Sequence, residues 1–246
     1  MRILTWIKPT GDWMHLWNYL WMFSPLVESS AWKESFLMIA DFHSLTSVHS
    51  WDTLKKNKER MLREIFSLLP DSSEIVVFDQ SDVRRLNDIT WVLSSVTPYS
   101  MMLRAHSFKD GQNKNSDINM ATFNYPILMA ADIITYWIDK VPVWKDQKQH
   151  LEFARDIAGN FNKTYKKDIF KLPEPIIKEE VWVIPWTDWR KMSKSYDNFI
   201  WIFDDEKIMK KKIMSIETDD IPLEDPKDPD NCNVFKLITF FASKEK

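Results

Sequence analysis

Two stretches of this 246-residue chain bring together residue types that can grip a phosphate. One is Pro9-Thr10-Gly11-Asp12-Trp13-Met14-His15-Leu16-Trp17-Asn18, a turn after a candidate first strand that opens a helix whose amide donors face outward. A residue without a side chain in that turn lets a nucleotide lie against the backbone. The other is Lys191-Met192-Ser193-Lys194-Ser195, with two lysines three residues apart. Taken alone, the pentapeptide reads equally as a solvated loop, and His15 as a surface histidine at a helix start. Asp132 is a third candidate, because a carboxylate on an apolar helix is expensive unless paired, although such a residue is more often a helix-surface acid. His49, His106 and His150 share no ligand spacing with each other or with Cys232, so no metal site is expected. His150 is expected to bond within its own helix.

The elements that must position these groups follow from periodicity. Residues 2–6, 35–40 and 74–78 are short apolar runs suited to buried strands. Between the second and third, Asp52 caps a helix whose Leu54, Met61, Leu62, Ile65, Phe66 and Leu69 share one face until Pro70 and Asp71 end it. A strand, helix, strand crossover results, the unit of a parallel sheet wrapped by helices. Further on, the spacing predicts a polar loop over 108–119, a helix after Pro126, a strand over 140–143, a helix over 146–161 and a loop with weak strands over 166–184. From Asp204 the chain turns to a Lys-rich helix, whose residues 207–212 read as a solvated basic face rather than a nucleic-acid contact. An acidic, Pro-rich linker over 219–230 follows. Residues 234–242 then form an apolar helix that runs into Ser243-Lys244-Glu245-Lys246 without a cap, so the chain is expected to stop inside a helical region. The expected fold is α/β, a Rossmann-type nucleotide-binding fold with a parallel sheet over 1–200. The linker and the start of a helical domain occupy 201–246.

Composition narrows the setting and raises one anomaly. A formal net charge of −3 announces no nucleic-acid partner through bulk electrostatics, a single cysteine suits a reducing compartment, and no apolar run approaches the length of a membrane span. Cytoplasmic residence is the expectation. The chain holds 3 Gly and 13 Trp, whereas about 7% Gly is usual. Trp17, Trp51, Trp186 and Trp189 stand at turns and helix starts that favour a residue without a Cβ. Trp91 is the exception, since Ile89-Thr90-Trp91-Val92-Leu93 is an apolar run expected to bury an aromatic ring. The codon UGA is read as tryptophan in some genetic codes and glycine in others. The expectation is that every tryptophan except Trp91 is glycine in the native protein.

Lys191 to Ser195 matches at every position the KMSKS signature of class I aminoacyl-tRNA synthetases, and residues 9–18 resemble their HIGH signature once Trp17 is restored to glycine. Tyr125-Pro126-Ile127-Leu128-Met129-Ala130-Ala131-Asp132-Ile133, then residues 141–152 and Arg155-Asp156-Ile157-Ala158, resemble the tryptophanyl family rather than its tyrosyl relative. In that family Trp6, Trp17, Trp21, Trp144, Trp186 and Trp189 correspond to glycines. Two departures stand out: the step from Gly11 to His15 is one residue longer than the family pattern, and the helical domain that reads the anticodon is mostly missing. The resemblance implies an enzyme that activates L-tryptophan with ATP and Mg²⁺ and transfers it to tRNA(Trp), working as a homodimer. It implies catalytic roles for His15, Asn18, Lys191 and Lys194. ATP would meet Lys8, Pro9, Thr10, Trp17, Asn18, Trp144, Lys145, Asp146, Val183 and the loop Lys191, Met192, Ser193, Lys194, Ser195. The amino acid would meet His43, Tyr125, Met129, Asp132, Val141, Val143 and Gln147, with Asp132 reading the indole N–H. Two alternatives remain at this point: a catalytically dead synthetase paralogue acting as a binding protein, and another nucleotidyltransferase of the HIGH superfamily, against which the complete KMSKS loop argues.

Overall fold

The computed structural model describes residues 2–11, 14–31, 33–105, 108–109, 118–138, 140–142, 148–176, 199–218, 221, 225–226, 228–229, 232–239 and 241, with backbone alone at 17, 21, 140, 142, 148, 175, 176 and 236. The expected loop over 108–119 and linker over 219–230 lie mostly outside these residues. The chain divides into two compact units, one of Met1–Asp12 with Leu26–Lys178, the other of Trp13–Pro25 with Glu179–Lys246.

Five parallel strands organise the first unit. They are β1 (Arg2–Ile7), β2 (Glu34–Ile39), β3 (Ile75–Asp79), β4 (Lys140–Pro142) and β5 (Glu174–Ile176), in the order β3-β2-β1-β4-β5. Registry is set by pairs such as Leu4 with Phe36 and Leu37 with Val77. Strand order reverses direction between β1 and β4, and in open α/β sheets a ligand crevice forms outside the carboxyl ends at such a point. The helices of this unit are α2 (Ser24–Ser30, from Leu26 on), α3 (Asp41–Ser44), α4 (Trp51–Leu68), α5 (Leu86–Ser94), α6 (Tyr99–Met102), α7 (Met120–Thr135) and α8 (Lys148–Tyr165). Ser50, not the expected Asp52, caps α4 by accepting from Thr53 N, because the helix begins at Trp51 and Asp52 already lies in its first turn; Leu54, Met61 and Ile65 are buried along its inner face, as the spacing predicts. Phe66, placed on that face from sequence, is exposed instead. It lies one residue, or about 100°, past Ile65 on the helix.

Helix α7 starts six residues earlier than Pro126 suggests. Asn119 caps it through Thr122 N at 2.9 Å, and Pro126 sits inside it, buried. The lost N–H of Pro126 removes one helical bond, but burial of Ile127, Met129, Ala130, Ala131, Ile133 and Ile134 on this helix outweighs it. These residues pack with Leu4, Met38, Leu86, Leu93, Val141, Leu151 and Ile157 into one core. Trp91 corrects the sequence reading. It is 80% exposed on α5, because Leu86 and Leu93, seven residues apart, fix the buried face and Trp91 falls on the opposite one.

The second unit contains α1 (Leu16–Asn18), a π-helical turn over Tyr19–Phe23, α9 (Glu206–Met214) and α10 (Asn233–Thr239). Its small core is Phe199, Ile200, Ile216 and Leu237, against which Leu16, Leu20 and Trp201 pack. Asp205 caps α9 through Lys207 N, and Lys207, Lys210 and Lys211 are exposed, as read from sequence, whereas Lys212 is half-buried and pairs with Asp204 Oδ2 at 2.8 Å.

Candidate active site

The chemistry-bearing side chains of the first unit gather at the carboxyl edge of the sheet. Lys8, Pro9 and Thr10 follow β1, His43 lies in α3 directly after β2, and Gln80 is the first residue after β3. Asp132 meets them from α7. It is 1% exposed, and its carboxylate accepts from two donors: His43 Nε2 at 2.8 Å to Oδ2, and Gln80 Nε2 at 2.9 Å to Oδ1 and 2.8 Å to Oδ2. A surface acid is therefore excluded for Asp132. Burial pushes its carboxyl above the ordinary aspartate range; the bonds from His43 and Gln80 pull it back in part, and the charge of Asp41 adds to the rise.

A row of imidazole and aromatic groups leads away from this carboxylate. His43 and Tyr125 meet edge to face at 5.1 Å, and Tyr125 meets His150 the same way at 5.6 Å, with Tyr125 Oη 3.2 Å from His150 Nε2. His150 thus pairs across to α7. Burial, aided by the Asp132 charge, pushes the Tyr125 hydroxyl up to about 12, so it stays a neutral donor at neutral pH. Met129 and Val141 are buried beside it. Among the described residues, His43 Nδ1 is buried without a hydrogen-bond partner, as is the Tyr136 hydroxyl. Unpaired polar atoms of that kind carry a cost which a polar ligand can remove.

A second acidic group, which sequence reasoning did not single out, braces the floor. Asp41 Oδ1 accepts from Phe42 N at 3.0 Å and Ser81 N at 3.1 Å, while Oδ2 accepts from Ser81 Oγ at 2.6 Å and Lys58 Nζ at 2.7 Å. Lys58 also reaches Asp79 Oδ2 at 2.7 Å. Burial alone would lower the Lys58 ammonium, but its bonds to Asp41 and Asp79 more than reverse that and hold it above the usual lysine value. Only the position of Gln80 and Ser81 directly after a strand could have flagged this turn, since functional side chains cluster at strand carboxyl ends. Desolvation by its surroundings pushes the Lys8 ammonium down, although the residue is exposed and solvent screens the effect.

In the second unit, His15 is the N-cap of α1, its Nδ1 accepting from Asn18 N at 3.2 Å. That bond leaves the neutral ring's proton on Nε2, a donor. The ring packs near Phe199 and Trp201 at 6.3 and 6.0 Å. Of Trp17 the backbone alone is described, within α1. Trp144, Lys145, Asp146, Gln147, Val143, Val183 and the whole of Lys191, Met192, Ser193, Lys194 and Ser195 lie outside the described residues. A cleft of about 940 Å³, lined by Arg2, Lys33, Glu34, Phe36, Glu74 and Trp137, opens at the amino ends of the strands, the opposite edge of the sheet from His43 and Gln80.

A buried polar hub at the carboxyl edge of a 3-2-1-4-5 parallel sheet defines a nucleotide-fold enzyme, and comparison places it. Residues 1–242 match the family of tRNA synthetases class I (W and Y), and the chain belongs to that family. It is 44% identical over 245 residues to a tryptophan–tRNA ligase of Fusobacterium nucleatum, spanning all of this chain and 75% of that protein. A Campylobacter jejuni tryptophan–tRNA ligase is likewise 44% identical, over 99% of this chain and 76% of its own length. The crystal structure of tryptophanyl-tRNA synthetase from Campylobacter jejuni complexed with ADP and tryptophan superposes with a TM-score of 0.88 at 43% identity, over 99% of this chain and 76% of that one.

Proposed function

We propose that the protein is a tryptophan–tRNA ligase that condenses L-tryptophan with ATP to tryptophanyl-adenylate and pyrophosphate, then passes the tryptophanyl group to tRNA(Trp). Similarity to ligases of that name supports the overall reaction, and the buried hub of Asp132, His43 and Gln80 is the observation that carries the choice of amino acid. An indole N–H is a fitting donor for a carboxylate that has been taken out of water. Tyr125, with Gln147, would hold the ammonium and carboxylate ends, while Met129, Val141 and Val143 line the ring. The substrate carboxylate is already ionised at neutral pH, so it attacks the α-phosphorus without a general base and expels pyrophosphate. Catalysis rests on position and charge. His15 and Asn18 would bind the triphosphate, and Lys191 and Lys194 would meet the charge that develops on pyrophosphate. Lys8, Pro9, Thr10, the backbone at 17, 144 and 183, Lys145, Asp146, Met192, Ser193 and Ser195 complete the nucleotide contacts in this reading. Mg²⁺ enters with the ATP phosphates. Tryptophan-dependent ATP–pyrophosphate exchange tests the proposal, and exchange that is equal with tyrosine or absent altogether in the native protein would overturn it.

The same reading includes a homodimer, cytoplasmic residence, and a catalytic part over 1–200 followed by the start of a helical one. No helix among the described residues is long and apolar enough to cross a membrane. It also retains glycine in place of most tryptophans. Trp137 supports this, since it stands just past the end of α7 with φ +55°, the left-handed conformation in which helices commonly place glycine. Trp51 supports it too, being 76% exposed at the first position of α4. Trp6 and Trp201 pack against apolar neighbours and carry no such signal. Mass spectrometry of the native protein decides the point, and indole masses at 17, 137 and 144 would sink it.

A further inference from the structure

We propose that Gln80 is a positioning residue for amino-acid selection: its amide fixes the Asp132 carboxylate so that Oδ1 remains open to an indole N–H. This rests on the reading of Asp132 given above. Gln80 is fully buried, and its Nε2 spans both oxygens of Asp132, at 2.9 Å to Oδ1 and 2.8 Å to Oδ2. Its Oε1 accepts from His43 N at 3.4 Å. The neighbours dictate that orientation of the amide. Turned over, it would set an oxygen against a carboxylate and an NH₂ against a backbone N–H. His43 Nε2 adds a further donor, and only to Oδ2. The two oxygens are therefore unequal. Oδ2 accepts from two side chains while Oδ1 shares one, and a carboxylate oxygen has about two acceptor sites, so the vacant one is on Oδ1.

The turn that carries Gln80 is itself held in place. Ser81, the next residue, is bonded through both its N and its Oγ to Asp41, which Lys58 ties to α4. Asp41 thus fixes the backbone of the turn, and Gln80 transmits that order to the carboxylate. Removing the amide leaves the acceptor present but lets it rotate about its terminal torsion toward His43. The loss should fall on a substrate that offers a donor and spare one that does not.

The test is ATP–pyrophosphate exchange by the native full-length enzyme with L-tryptophan and with L-3-benzothienylalanine, whose sulfur replaces the indole N–H. Gln80→Met should lower the tryptophan-to-analogue ratio of kcat/KM about ten-fold, through KM for tryptophan, with kcat and the analogue's KM little changed. A merely structural role would depress both substrates together and keep the ratio, which overturns the proposal. Asp132→Ala separates the two layers of the inference. If its ratio is unchanged, the reading of Asp132 fails; if its ratio collapses while that of Gln80→Met holds, only the role of Gln80 fails. A crystal structure of the unaltered enzyme with tryptophan bound needs no variant: an indole nitrogen within hydrogen-bond distance of Oδ1 supports the assignment, and one on Oδ2 or on neither overturns it.

Discussion

Asp132 is under two opposed demands, and they can be separated by measurement. As the proposed acceptor for an indole it is strongest when ionised, yet burial raises its pKa and makes the charge costly to the fold. Below about pH 4 both the folded and unfolded chains hold the proton, and the cost is absent. As pH rises the unfolded chain ionises first and the folded one resists, so stability is lost until pH passes the raised folded value. Asp132→Asn has nothing to ionise and should gain melting temperature on the wild type from about pH 4 upward, while losing tryptophan preference. A wild type that gains on the variant as pH rises would show the shift to run the other way. Asp132→Ala removes the acceptor altogether and should cost about 2–4 kcal/mol in kcat/KM for tryptophan, more than Asp132→Asn. Lys194→Ala should slow activation of every amino acid alike if, as proposed, its charge meets pyrophosphate and never the side chain. Competitive exchange with tryptophan and phenylalanine reads both variants.

Element ends carry the clearest stability predictions. A non-glycine residue in the left-handed region costs about 1–2 kcal/mol, and Trp137, at φ +55° and 56% exposed, offsets little of it by burial. Trp137→Gly should therefore stabilise by about 1 kcal/mol in urea melts. Gly159 behaves oppositely. It lies inside α8, where an added methyl would meet nothing within 4 Å, so Gly159→Ala should stabilise by about 0.5–1 kcal/mol. At Gly11 the φ of +103° forbids the same exchange, and Gly11→Ala should destabilise. Much of this layer was legible in the sequence. Strands β1, β2 and β3 and the buried face of α4 follow from short apolar runs and helical spacing, which are local signals. The exposure of Trp91 and the early start of α7 were not legible, because each depends on which neighbours a helix meets. The Asp41–Ser81 brace was hidden for the same reason: its partners are 40 residues apart in sequence.

At the scale of the whole molecule, Trp91 on α5, Tyr99 on α6 and Met120 in the first turn of α7 are largely exposed, and exposed apolar side chains of this kind are candidates for an interface. The stretch 125–136, by contrast, is mostly consumed by the internal core. Sedimentation of the native protein should show a dimer at micromolar concentration, and Tyr99→Glu should shift it toward monomer; a wild-type monomer would count against that face as an interface. Indoles at turns that need glycine add strain of about 1–3 kcal/mol each, against a total stability of about 5–15 kcal/mol. A chain carrying all thirteen indoles should consequently melt without cooperativity and fail to activate tryptophan, while its glycine form does both. A sharp melt with exchange activity from the indole form would count against the glycine reading.

The hydrogen bonds on Asp132 join segments 89 and 52 residues apart. Contacts of such long sequence separation form late, after loop closure has been achieved by the sheet, and interactions absent from the folding transition state govern the rate of unfolding. Gln80→Met and Asp132→Asn should accordingly move the unfolding arm of a chevron plot and leave the refolding arm in place. If tryptophan engages the same late-formed hub, as proposed, its binding should slow escape from the native state more than it speeds arrival, and amino-acid supply would then control the lifetime of the folded enzyme.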